Sequence, residues 1–165
     1  MRRELRSLFL GGLVFLVVQF LLGMAVNLFI TIPLNHPGAN PPEYFSGVAQ
    51  SVIWAILHGP ALLILHAVLG FVVLAFGIRI LVSAIRSRER GLLVAASIGA
   101  VAILGAGFNG GSYLNYHQDF SSMIMASFFA IAVVAYVAGL YLIAGSEFPQ
   151  PRESQTPDAP SPAQP

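Results

Sequence analysis

The placement of the charged residues constrains this chain more than any other feature. Between Ser7 and Ile78 the only formally charged side chain is Glu43, and between Gly91 and Ser146 the only one is Asp119. A soluble domain carries about 25% charged residues; this chain carries 9%, with 56% hydrophobic. Uncharged runs of this length match a bilayer, whose ~30 Å hydrocarbon core takes about 20 helical residues to cross. Four spans are predicted, at about 8–30, 60–84, 91–112 and 118–143. The expected fold class is all-α, an integral membrane four-helix bundle. A soluble enzyme is excluded, and a net charge of +1 offers nucleic acid no basic field. With no cysteine in the chain, disulfides, iron–sulfur clusters and thiolate zinc sites are excluded as well.

All eight basic residues are arginine. Arg2, Arg3 and Arg6 precede the first span, and Arg79, Arg86, Arg88 and Arg90 mark the end of the second and the turn after it. The segments joining spans 1 to 2 and 3 to 4 hold none. The positive-inside rule therefore predicts cytoplasmic termini, with 31–45 and 112–117 outside. Arg79, one to two turns within span 2, reaches the inner head groups by snorkelling. Three arginines before an apolar run also resemble a signal peptide. The run of about 24 residues exceeds an h-region and no A-x-A site follows, so a retained span is expected. All-arginine usage and abundant alanine suit a GC-rich genome, hence a bacterial plasma membrane.

The segment from Pro33 to Glu43 holds four prolines and reads as an outer loop, with His36 expected to be solvated. Ser46 to Leu57 reads as a short interfacial helix, anchored by Trp54 and ended by Gly59-Pro60. Residues 148–165 are polar and proline-rich, a disordered cytoplasmic tail beside a bundle of residues 1–147.

Lipid does not distinguish one leucine from another, so helix interfaces are marked by small and polar residues. Gly12, Gln19, Gly23 and Asn27 share one face of span 1. His66, Gly70, Gly77 and Ala84 share one face of span 2, with Gly59 at its outer end. Ala95, Gly99, Ala102, Ala106 and Asn109 align on span 3, and His117, Ser121, Ala135 and Gly139 on span 4. Counting at 1.5 Å per residue from Arg6, Arg86 and Arg90 puts Asn27, His66 and Asn109 at one height, about 30 Å above the arginines. His117 opens span 4 on the same side, so these four are expected to converge in the outer part of the bundle. His58 lies about 12 Å further out than His66 and is the second choice. The segment Gly107 to Ser122 is the most polar stretch near the membrane, with Asn109, Asn115, His117 and Asp119 expected in and around a short outer turn.

Two neutral imidazoles on facing helices can hold a b-type haem, with Gly70 leaving room beside His66. The runs His66-Ala-Val-Leu-Gly70 and His117-Gln-Asp-Phe-Ser-Ser resemble one half of haem A synthase and other four-helix membrane cytochromes. That resemblance implies His66 and His117 as iron ligands, haem b as cofactor and a membrane redox or assembly partner. Leu63 and Ala67 stand where the synthases have a glutamate and a basic residue, so synthase chemistry is not expected. Asp119 either caps span 4 or orients a ligating histidine. The other reading is a non-catalytic accessory or scaffold protein, with His66 hydrogen-bonded to Asn27 or Asn109. No hydrolase, kinase or transferase constellation is present in the sequence.

Overall fold

The computed structural model describes residues 2–145, which form five helices. Four of them, α1 (Arg2–Phe29), α3 (Ala61–Ser87), α4 (Arg90–Tyr116) and α5 (Asp119–Gly145), are long and apolar enough to cross a membrane. The fifth, α2 (Tyr44–His58), is the short helix between the first two spans. The chain is a multi-pass membrane protein with an all-α fold, and no strand occurs among the described residues. The expected tail lies outside the described residues.

The long helices pack as a ring, α1 against α3 and α5, and α4 against α3 and α5, with α2 laid on α3 and α4. Gly12 faces Ile80 while Gly23 faces His66, so α1 and α3 run antiparallel. The arginines of α1 and of the α3–α4 turn therefore gather at one end, where Arg2 pairs with Glu89 at 3.1 Å. Both partners are substantially exposed, so the pair contributes only about 0–1 kcal/mol. Arg88 makes that turn in the left-handed region, φ 58°, and donates its backbone N–H to the Ile85 carbonyl. At the other end lie the α1–α2 loop and α2, together forming a cap.

The small-residue stripes face inward, except that Asn27, at the far end of the first, is exposed. Tyr136 of α5 is fully buried, and its ring rests against glycines from three other helices. A Cβ at Gly12 would lie 2.8 Å from Tyr136 Cε2, one at Gly77 3.3 Å from the hydroxyl, and one at Gly99 would overlap Cε1. Phe9 of α1 meets the same ring edge-on, with centroids 5.5 Å apart, and Gly139 makes room for it. Lipid supplies no hydrophobic drive between helices, so close approach around one large side chain holds the bundle. Val14, Leu21, Leu65, Val101 and Val134 point outward, where lipid covers them.

Two boundaries differ from expectation. Helix α1 starts at Arg2, because Arg and Glu are good helix formers outside the membrane as well. Helix α4 continues through Tyr116, so most of 112–117 is helix rather than loop. No proline interrupts it, and Gly111 seats Val48 of α2 against its last turns.

The cap's short helix begins at Glu43, whose carboxylate accepts from the amides of Phe45 at 2.9 Å and Ser46 at 2.6 Å. These bonds, the one from Ser46 first, hold the carboxyl below its ordinary value. A value lower in the folded state than in the unfolded one stabilises above the unfolded value, and the contribution is lost as pH falls through the folded value. Protection of the Phe45 and Ser46 amides, their exchange measured against an unstructured peptide at the same pH, is therefore expected to fall in acid. In Glu43→Ala that protection is expected to be low at every pH.

Candidate functional site

The last carbonyls of a helix lack partners within it, and at the end of α4 the α1–α2 loop supplies them. His36 Nε2 lies 3.1 Å from the Leu114 carbonyl, and Asn40 N donates to the Asn115 carbonyl at 2.8 Å. His117 donates its backbone N–H to Tyr113, 2.8 Å away. The expectation of a solvated His36 is overturned: it is 7% exposed. The reason is that α4 offers it a carbonyl and α2 offers it the face of Trp54, stacked 4.3 Å away at 14°. His36 Nδ1 also lies 2.8 Å from the Pro37 carbonyl. A neutral ring donates to one of these two oxygens, and the doubly protonated ring donates to both. Trp54, expected as an interfacial anchor, is thus the platform for the loop.

Beneath His36, fully buried Asn115 and Ser51 lie 2.6 Å apart, joining α4 to α2. With its nitrogen turned toward the carbonyls of Gly38 and Gly47, 3.2 Å from each, the Asn115 amide ties in the loop as well. Gly38 has φ +88°, and a Cβ there would strike the Ser51 hydroxyl and the Gly47 carbonyl. The close approach and the positive φ together require glycine.

The four residues expected to converge do so only in part. His66 packs on α1 beside Gly23, where a Cβ would lie 2.9 Å from its Cε1. Its polar partner is Gln19, whose amide donates to the His66 carbonyl at 3.1 Å and lies 3.4 Å from Nε2. Neither Asn27 nor Asn109 bonds it. Asn109 donates to Gly105 of its own helix, 2.9 Å away. Gly70 faces the same Gln19 amide. His66 Nδ1 and Gln19 Oε1 are buried without partners. This arrangement is a polar clasp between α1 and α3.

His117 does not open the last span; it ends α4 in the left-handed region, φ 53°. Its ring lies 6.1 Å from those of His36 and Tyr113, and its Nε2 is buried without a partner. It lines a cavity of about 400 Å³ together with Asn27, Thr31 and Tyr113, over a floor that includes Val26 and Ile30. Asn27 and His117 are therefore brought together, while His66 does not line this cavity. Asp119 stands exposed in the first turn of α5, and His58 is exposed at the end of α2. Among the described residues no group of three metal-binding side chains occurs.

No protein-family model, curated protein or solved structure matches the chain.

Sequence reasoning missed His36, Ser51 and the platform role of Trp54. It named Gln19 only as part of a stripe. The polar density around Asn115 was visible, but not that it serves as a fastening for the cap.

Proposed function

We propose that the protein is a non-catalytic accessory or scaffold protein of a bacterial plasma membrane, with histidines that serve structure. The observation that supports this best is the separation of His66 from His117. His66 belongs to the α1–α3 seam, while His117 lies at the end of α4 beside the cap's His36. The arginine distribution favours the arginine end in the cytoplasm and the cap outside.

A b-type haem between His66 and His117 is the competing use. The donors suit it, because His66 Nδ1 and His117 Nε2 are both buried without partners. The space does not. Gly70, which would make room for a porphyrin, faces Gln19, and the cavity beside His117 is not lined by His66. As packed, these residues do not fit a haem held by two histidines.

Protein purified in detergent from cells amply supplied with haem is expected to show no Soret band. A Soret band lost in both His66→Ala and His117→Ala overturns the scaffold reading. Orientation is read separately, since the chain has no cysteine to confuse labelling. On intact cells an impermeant maleimide is expected to label Asn35→Cys and to spare Arg88→Cys, both exposed positions at opposite ends. The reverse pattern overturns the orientation.

A further inference from the structure

The cavity at the cap end has more polar groups than the fold uses. Asn27, Thr31, Tyr113 and His117 all line it, and among the described residues none of these four side chains makes a hydrogen bond. Buried polar atoms in native proteins nearly always have a partner, and an orphan calls for an explanation. Here the orphan is His117 Nε2. Asn27 is a second anomaly, an amide near the end of a membrane helix beside outward-facing Leu28 and Phe29. In a segment of this kind a polar side chain without a partner is a candidate for function.

The chemistry of the lining restricts the occupant. No lining residue is formally charged. All seven arginines of the described residues lie on the helices and turn at or toward the other end. Apart from the His117 imidazole, nothing in the cavity would neutralise a phosphate. No carboxylate lines it to hold an ammonium group, and Glu43 is engaged with the amides of Phe45 and Ser46. What remains is an amide, two hydroxyls and an imidazole, which together donate and accept hydrogen bonds. Their counterpart is an uncharged head with both hydroxyl and carbonyl oxygens. The rest of the lining is apolar, Val26 and Ile30 among it, and the neighbouring surface of α1 faces lipid. An occupant therefore carries an apolar chain.

We propose that this cavity binds the uncharged, hydroxyl- and carbonyl-bearing head of a lipid of the diacylglycerol type, entering from the leaflet at the cap end. Asn27 and His117 hold the head, and the tails lie along the outward face of α1. The proposal stands apart from the scaffold reading, which the absorption spectrum decides.

The test uses the full chain in phosphatidylcholine nanodiscs, with histidine rings labelled for NMR. Four histidines give a spectrum simple enough to follow each one. Titration with dioleoylglycerol is expected to shift the His117 ring signals saturably and to leave those of exposed His58 in place. Asn27→Leu, at an exposed position that makes no internal hydrogen bond, is expected to weaken the response more than tenfold while the His36 signals stay unchanged. Free glycerol and dioleoylphosphatidic acid form the other arms. Glycerol producing the same shift at the same concentration overturns the lipid source. Tighter binding of phosphatidic acid overturns the uncharged head. No shift of His117 with any of them, or an undiminished response in Asn27→Leu, overturns the site.

Discussion

Gly99→Ala is expected to destabilise the bundle by about 1–3 kcal/mol or more, the usual cost of overpacking a filled core. The added methyl would overlap Cε1 of Tyr136 and come within 2.8 Å of its Cδ1. The ring has little room to yield, because Gly12 and Phe9 press it from α1 and Gly77 lies beside its hydroxyl. Denaturation in mixed micelles measures the loss. A double-mutant cycle identifies its cause: Tyr136→Leu removes the ring and should restore much of what Gly99→Ala takes away. Tyr136→Phe keeps the ring and should restore little, although it removes a hydroxyl that is buried without a partner. Purely additive losses for Gly99→Ala and Tyr136→Leu would show that the glycine contact does not set the packing.

His36→Ala is expected to detach the loop from the cap, at a cost of roughly 1.5–4.5 kcal/mol. Of this, about 1–3 kcal/mol comes from leaving a buried carbonyl unsatisfied, that of Leu114, and about 0.5–1.5 kcal/mol from lost ring stacking. Trp54 is the chain's only tryptophan, so its emission reports the cap without interference. A red shift together with faster amide exchange at Asn40 is the expected result. His36→Phe separates the two contributions, since it keeps a ring to stack on Trp54 while donating nothing to Leu114. Unchanged emission in His36→Ala would mean that the loop is held by Asn115 and Asn40 alone.

The spans were legible because a bilayer forbids charge over a fixed length, so the gaps between arginines and acids outline the helices. Gly12, Gly77, Gly99 and Gly139 were legible because in lipid the close contacts are made by residues with little side chain. The cap was not legible, because its principal partners are backbone. The ring nitrogens of His36 lie against the carbonyls of Leu114 and Pro37, and any residue type could provide those. The height count failed for His66 in a particular way. It set His66 level with Asn27, whereas the residues that meet His66 are Gln19 and Gly23, one to two turns lower on the same helix, so distance from the arginines did not carry over from one helix to the next. His117 was placed at the right end of the bundle but on the wrong helix. A residue just past one helix and a residue just before the next are alike in sequence when only His117 and Gln118 lie between the two helices.

The fastening of the cap also bears on how the protein is made. His36 and Ser51 find their partners in Leu114 and Asn115, 78 and 64 positions later in the chain. Chains emerge from the ribosome N-terminus first, so the loop after the first span is synthesised long before the residues it closes upon. Spans α1 and α3 can pair through Gln19 and His66 as soon as both are inserted. The cap stays open until α4 has entered the membrane, so its closure is a late step, with only α5 still to be packed.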